Sequence, residues 1–183
     1  FILIGVIIVG FVAFSFIRAN KKTEDDSRKF QALVLEKGEF VTATGSVHAT
    51  SSIDEYLQVA NINIPFTNKE LEVEYDRYFD VGYKVENMKF EVDGKKITIT
   101  LPPAEILKDY VDEKTIVTHE KNNILNQIKI DEDLKKCFEK YYDEDLAQAK
   151  SEGLMETAES SAKSQLESIL SPDGKYDVEV LFE

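Results

Sequence analysis

Cysteine, histidine and positive charge are scarce in this chain of 183 residues. Its single cysteine, Cys137, excludes a disulfide within the chain, and it also excludes cysteine-rich zinc and iron–sulfur sites. Two histidines, His48 and His119, leave little material for a histidine metal site. The chain carries 22 Lys and Arg residues against 35 Asp and Glu residues, a net charge of −13. We therefore expect no nucleic-acid partner, because phosphate binding requires a basic face.

Common catalytic and cofactor motifs are also missing. The sequence has no Walker A loop, no GxGxxG, no HExxH and no GxSxG. Its acidic triplets, residues 24–26, 131–133 and 143–145, lack the DxDxDG spacing of an EF-hand, and we interpret them as solvated faces or helix caps. Asp143 and Asp145 would lie about 200° apart around a helix axis, so they do not converge on one ion. The sequence therefore predicts no catalytic, cofactor-binding or metal-binding residues, no cofactor and no enzymatic activity.

The three residues that most often carry chemistry have ordinary structural interpretations here. Cys137 shares the apolar face of a predicted helix with Leu134 and Phe138, which is typical of a core cysteine rather than a reactive thiol. His119 lies in a polar, turn-like stretch, and His48 follows a Gly-Ser-Val sequence. We expect both histidines at the surface or in hydrogen bonds.

One long apolar run opens the chain. Residues 1–17, FILIGVIIVGFVAFSFI, carry no charge and would span about 25 Å as a helix, slightly less than a hydrocarbon core of about 30 Å. We predict a transmembrane anchor over residues 1–18, followed by a polar linker over residues 19–29. A cleaved signal peptide, with Ala13-Phe14-Ser15 as its processing site, is the first alternative. A buried core helix is the second, and the lack of a polar stripe disfavours it.

The remainder, residues 30–183, predicts one soluble α+β domain. Residues 40–44 favour a strand, and the small polar residues 48–52 favour a turn. From Leu71 to Val85 apolar residues alternate with polar ones, which predicts a long strand or two with one buried face. Arg77 is the break in that apolar series. Pro65 indicates a loop or an edge strand.

The sequence MKFEVDGKKITITL, residues 88–101, predicts a β-hairpin. Asp93-Gly94 is a signature of a two-residue type I′ turn. With that turn Phe90 opposes Ile97, and Glu91 faces Lys96. The prolines at 102 and 103 then end the second strand, because they cannot donate to a ladder.

The last third of the domain is predicted to be mostly helical. A short strand is expected around residues 115–118, and a long helix from 131 to 170. Its stripe includes Tyr141 and Tyr142, and a final strand is expected over residues 176–182. Packing of the stripe on the sheet is the default interpretation. Small residues such as Ala158 and Ala162 would alternatively permit helix association between copies of the chain.

Several stretches together resemble the bacterial membrane-anchored domains of unknown function catalogued as DUF4230. The matching pieces are residues 39–42, 79–83, 92–106, 153–154 with Ala158, Ala162 and Leu166, and Gly174 with residues 178–182. The resemblance implies a single N-terminal anchor and a domain outside the cytoplasm, and it supplies no catalytic residue. The positive-inside rule, applied to Arg18 and the lysines at 21 and 22, would instead place the domain in the cytoplasm.

The fold expected from all this is α+β: an N-terminal transmembrane helix, an antiparallel sheet, a long C-terminal helix and a final strand. The expected function is a single-pass, membrane-anchored, non-catalytic scaffold or binding domain of the bacterial cell envelope. It would sit in the cytoplasmic membrane with the soluble domain extracytoplasmic, as a homo-oligomer or part of a larger membrane complex. The alternatives are an accessory subunit of an envelope transporter and a tethered hydrolase that uses dispersed carboxylates with His119.

Overall fold

A computed structural model describes residues 38–171, 174 and 176–183. The predicted anchor over residues 1–18, the linker over residues 19–29 and the first residues of the predicted domain lie outside this described part. Within it, every helix is too short or too polar to cross a bilayer. The extent of the domain, residues 30–183, stays a prediction.

The described elements confirm the α+β class. The strands are β1 (Glu39–Glu55), β2 (Gln58–Val59), β3 (Ile62–Asn63), β4 (Lys69–Lys84), β5 (Lys89–Asp93), β6 (Lys96–Leu101), β7 (Glu105–Val111), β8 (Val117–Lys121) and β9 (Asp177–Phe182). The α-helices are α1 (Ile130–Lys140), α2 (Tyr142–Ser151) and α3 (Leu154–Leu170), with short 3₁₀ turns at Val85–Asn87 and Glu113–Thr115. One sheet has the order β1-β4-β7 with β8 also on β4, a ribbon joins β2 to β3, and a third sheet has the order β5-β6-β9.

Alternation in the long strands decides which side chains are buried. In β4 the odd-numbered side chains from Leu71 to Tyr83 are all buried, as the period of two predicts. The turn expected at residues 48–52 is wrong, because β1 runs unbroken through that stretch. Ala49 and Ser51 are buried there, so small side chains occupy inward positions of a strand.

The hairpin of β5 and β6 is confirmed, but its register is wrong by two residues. Phe90 pairs with Ile99 and Asp93 pairs with Lys96, so the two loop residues are Gly94 and Lys95. In this turn positive φ falls on Gly94, at +59°, and not on Asp93, which excludes the type I′ turn expected at Asp93-Gly94. A shift of two preserves the faces, so Phe90 and Ile97 still contribute to one core.

The described part of the chain divides into two compact units, and the first comprises residues 38–44, Asp80–Lys108 and the described residues of Gly153–Glu183. Within it α3 packs on the β5-β6-β9 sheet through Ala162, Leu166 and Leu170. The last strand, β9, runs parallel to β6, so the sheet is not antiparallel throughout as expected. Burial of each large apolar side chain here stabilises the fold by about 1.5–3 kcal/mol.

A close backbone approach in this first unit requires glycine. A Cβ added at Gly82 in β4 would lie 2.0 Å from the carbonyl oxygen of Phe40 in β1. Real Cβ atoms do not approach carbonyl oxygens so closely, so any larger residue would displace β1 locally.

The second unit comprises Gly45–Phe79 and Asp109–Glu152. It contains β2, β3, β8, α1 and α2, together with parts of β1, β4 and β7. The ring of Phe138 in α1 meets Tyr75 of β4 edge-on at 4.8 Å, and Tyr142 of α2 meets Phe79 at 6.1 Å. The apolar stripe of α1 and α2 therefore packs on the sheet, as the default interpretation predicted.

The long helix predicted for residues 131–170 is instead three helices. The chain leaves the helical conformation at Tyr141 and again before α3, where Gly153 has φ +84°. That left-handed conformation is inexpensive only for glycine, which commonly ends helices in this way. Ala158 and Ala162 are fully buried within their own unit, so packing inside the chain is the role that these small residues have here.

Candidate functional site

Arg77 occupies an inward position of β4 and is 2% exposed, which is unusual for an arginine. Its Nη2 donates to the carbonyl oxygen of Phe138 at 2.6 Å. Its Nε lies 3.1 Å from Oδ2 of Asp145, without hydrogen-bond geometry, and Nη1 lies 3.6 Å from Oδ2 of Asp109. The break in the apolar series is thus a buried cation that joins β4, β7, α1 and α2.

Aromatic rings and one buried carboxylate complete the surroundings of this guanidinium. Its Cζ lies 5.8 Å from the ring centre of Tyr75 and 5.3 Å from that of Tyr142, within the range of cation–π attraction. The Tyr75 hydroxyl donates to Oδ2 of Asp145 at 2.9 Å. Burial raises the pKa of Tyr75 well above its usual range, and the Asp145 carboxylate adds to that rise. Burial likewise raises the pKa of Asp145, although the Tyr75 hydroxyl and the Arg77 charge oppose the rise.

An open groove of about 1010 Å³ lies beside Arg77 in the second unit. Its apolar lining consists of Val111, Ile116, Ile130, Leu134 and Phe138, and Tyr142 and Thr118 also contribute. Its charged lining consists of Asp109, Glu113, Asp131, Glu139 and Asp143 against Arg77 and Lys135. Five carboxylates against two cations leave the lining acidic, and the buried guanidinium is already matched by carboxylates. The groove therefore combines an apolar floor with a negatively charged rim.

A second buried ion pair fixes the start of α1. Lys69 Nζ lies 2.9 and 2.8 Å from the two carboxylate oxygens of Asp133, and both side chains are almost fully buried. Asp133 also accepts the backbone N–H of Lys129 at 2.9 Å, as a capping residue does. Glu55 lies 3.3 Å from Lys69 and 3.0 Å from Lys136. Burial acts to raise the pKa of Asp133, but the hydrogen bonds from Lys69 and from the Lys129 N–H outweigh it, and the pKa is lowered.

Comparison with known protein families finds a matching family. The family model described as a protein of unknown function (DUF4230) matches residues 34–180. The chain belongs to this family. No curated protein and no solved structure matches it. The resemblance expected from the hairpin and strand sequences is confirmed.

The interpretation of the acidic triplets as solvated faces or helix caps holds only in part for this DUF4230 domain, because one residue of each described triplet is buried. The third residue of each described triplet, Asp133 or Asp145, is buried and ion-paired. The spacing contained the signal, because Asp133 lies four residues before buried Cys137 and Asp145 lies four before buried Ala149. Their partners, Lys69 and Arg77, stand at inward positions of β4. A cation on the apolar face of a strand predicts a buried acid opposite it.

Cys137 is fully buried in the DUF4230 domain, as expected for a core cysteine. Burial raises the pKa of its thiol, although the nearby Ser51 side chain acts in the opposite direction. A thiol in this environment stays protonated at neutral pH and is a poor nucleophile.

The two histidines lie at the surface, as predicted. The Nδ1 of His48 lies 2.7 Å from Oδ1 of Asp76. His119 is exposed on β8, where its Cα pairs with that of Glu72. Its neighbour Thr118 lines the groove, so alternation directs His119 to the other face of the strand. Within the described residues, no group of three or more His, Cys, Asp and Glu side chains could hold a metal ion.

Proposed function

We propose that this DUF4230 protein is a single-pass, membrane-anchored, non-catalytic binding domain of the bacterial cell envelope, and that the groove is its binding site. The observation that carries the proposal is the combination of an apolar floor and an acidic rim in one open groove. Its volume of about 1010 Å³ lies at the upper end of the range for small-molecule pockets, so it suits a segment of a partner protein.

Charge and polarity together define the ligand class. Leu134, Ile130 and Phe138 offer apolar surface to aliphatic or aromatic side chains. The rim carboxylates favour Lys and Arg on the same segment and repel acidic segments. The expected ligand is therefore a cationic, amphipathic segment of a partner protein.

The polar groups beside the groove support binding rather than catalysis. Arg77 is engaged by Phe138 and by the carboxylates of Asp145 and Asp109. Asp145 is itself bonded by the Tyr75 hydroxyl. These contacts fix the wall of the groove, and His119, which the hydrolase alternative combines with dispersed carboxylates, is directed away from it.

Fluorescence anisotropy with labelled model peptides tests the proposal on the full chain in mild detergent. A Leu/Lys amphipathic peptide should bind, and the same peptide with Glu in place of Lys should not. Asp131→Lys should weaken binding about fivefold, since it removes one attraction and adds one repulsion. Glu132→Lys is the matched control, because it makes the same charge change in the same helical turn outside the groove lining. Equal effects of the two substitutions, or equal binding of both peptides, would contradict the proposed site.

The anchoring part of the proposal rests on the apolar, uncharged residues 1–17. An anchored domain of this kind would meet its partners in or beside the membrane, as a homo-oligomer or within a larger complex. Cysteine substitutions along residues 4–14, crosslinked in native membranes, test this point. A strictly monomeric product at every position would exclude self-assembly through the span.

A further inference from the structure

Two loops of the second unit are free of charged residues in a chain of which 31% of the residues are charged. The first loop, residues 56–68, reads YLQVANINIPFTN, and the second, residues 122–128, reads NNILNQI. Together we call them the loop tip. Charge is excluded from both at once, which indicates a surface selected for a low-dielectric partner rather than for water.

Side-chain amides hold the two loops against each other. Asn123 Nδ2 donates to the carbonyl oxygen of Phe66 at 2.7 Å. Asn126 Nδ2 donates to the carbonyl oxygens of Glu55 and Thr67, both at 3.0 Å. The loop tip is therefore one bonded surface rather than two independent loops.

Five apolar side chains of the loop tip point outward. Ile124 is 92% exposed, Phe66 89%, Ile62 71%, Leu125 70% and Val59 65%. Phe66 also has φ +61°, a left-handed conformation that costs a residue with a Cβ about 1–2 kcal/mol. Strain that displays a phenylalanine to solvent does not serve the core, and such strain is typical of functional surfaces.

The backbone of the loop tip forms many of its hydrogen bonds internally. The Ile64 N–H donates to the carbonyl of Leu57, and Thr67 Oγ1 donates to the carbonyl of Ile64 while accepting the Leu57 N–H. In the second loop, side-chain oxygens of asparagine accept the N–H groups of Leu125 and Ile128. Satisfied backbone groups are what a loop requires before it can leave water.

We propose that the loop tip inserts into a lipid bilayer, as a contact separate from the groove and independent of its ligand. Nearly full exposure of Phe66 and Ile124 describes protruding side chains, which a bilayer accepts without a complementary pocket. Lys121 and Lys129 bound the second loop and are largely exposed in surface ion pairs, where their ammonium groups can reach lipid headgroups.

Fluorescence of single-tryptophan variants tests the insertion, because the natural chain has no tryptophan. The full chain carrying Phe66→Trp is reconstituted into phosphatidylcholine vesicles with brominated acyl chains. We expect the emission to shift to shorter wavelength and to fall to about half through bromine quenching. Phe182→Trp, at an aromatic position 40% exposed on β9, is the control and should be little quenched.

A second pair of substitutions separates insertion from mere proximity. In the Phe66→Trp chain, Ile124→Asp should abolish the quenching, since it places a charge in the tip. Val117→Asp, at an exposed position on β8 outside the tip, should leave the quenching unchanged. Both variants are checked for native circular dichroism.

Two outcomes would overturn the proposal. One is water-exposed, unquenched emission from Phe66→Trp chains that float with the vesicles. The other is a blue shift that depends on protein concentration without bromine quenching, which would assign the tip to a protein surface or a second copy.

Discussion

Replacing Asp133 by Asn removes the negative charge that lies against buried Lys69 and, at 3.3 Å, against Lys136. Lys69 would remain buried, 7% exposed at its side chain, beside a neutral amide, and it would lose the 2.9 Å hydrogen bond to the second carboxylate oxygen. The Asn oxygen can still accept the Lys129 N–H, so the helix cap is preserved. The substitution therefore isolates the ion pair from the cap.

The expected loss in the free energy of unfolding arises because Lys69 stays buried without its charged partner at position 133. Breaking a buried ion pair by removing one member costs about 3–5 kcal/mol, since the other charge stays desolvated. Glu55 lies 3.3 Å from Lys69 and can compensate in part, which places the loss at the lower end, about 3 kcal/mol. Against a typical free energy of unfolding of about 5–15 kcal/mol, this is a large fraction.

Urea unfolding of the full chain in mild detergent, followed by far-ultraviolet circular dichroism, measures the effect. Asp131→Asn is the matched control, because Asp131 is exposed in the same helical turn and should cost less than about 0.5 kcal/mol. Asp133→Leu should be less stable than Asp133→Asn, since it also loses the cap. Adding Lys69→Met to Asp133→Leu should recover stability, because both charges are then gone.

The pH dependence has a definite sign. The pKa of Asp133 is lowered in the folded state, so its contribution is complete above the unfolded pKa of about 3.9. It is lost as the pH falls through the folded pKa. The stability gap between the natural chain and Asp133→Asn should be constant from about pH 5 to pH 7 and should close below about pH 4. A gap under about 0.5 kcal/mol at pH 7, or one that widens in acid, would refute the reasoning.

Four further outcomes are expected. Gly82→Ala should destabilise the chain by about 3 kcal/mol in thermal melts, because the new Cβ would meet the Phe40 carbonyl oxygen at 2.0 Å; a loss under about 0.5 kcal/mol would contradict this contact. Gly94→Val should cost about 1–2 kcal/mol by urea titration, since φ is +59° there with open space around it, and Gly94→Asn should be tolerated better. Cys137 should react slowly with thiol reagents in the native chain and rapidly in urea; rapid native labelling would show an accessible thiol. Phe66→Asn should raise the unfolding midpoint slightly, as Asn tolerates the left-handed conformation and little packing is lost; a large destabilisation would show that Phe66 supports the fold.

Part of the candidate site is predictable from the sequence. The strand pattern identifies Arg77 as the break in an apolar series, and the helical stripe predicts packing on the sheet. Neither pattern predicts that the two meet, because a strand pattern gives the face of a residue but not the element opposite it. Asp133 and Asp145 lay in acidic triplets that resemble ordinary helix starts. The helical periodicity decides which member of each triplet is buried. It selects the third residue, because Asp133 and Asp145 each lie four residues before a buried residue on the same face of their helix.

The loop tip was also beyond prediction from local pattern. Pro65 indicated a loop correctly, but nothing in the sequence shows that residues 122–128 lie beside it. The hydrogen bond from Asn123 to Phe66 connects positions 57 residues apart. Such contacts form only when segments distant in the sequence meet in the folded protein, so secondary-structure propensity does not predict them.

Sequence pattern alone predicts the α+β class, the inward face of β4, the existence of the hairpin and the end of β6 before the prolines. These features follow from local physics: side-chain alternation, glycine in turns and the missing proline N–H. The folded chain is needed to establish the hairpin register, the parallel pairing of β9 with β6 and the pairing of Lys69 and Arg77 with buried acids. Each of these pairings depends on competition between distant segments for the same hydrogen bonds and the same buried volume. Local sequence does not show which of the competing segments forms the pairing.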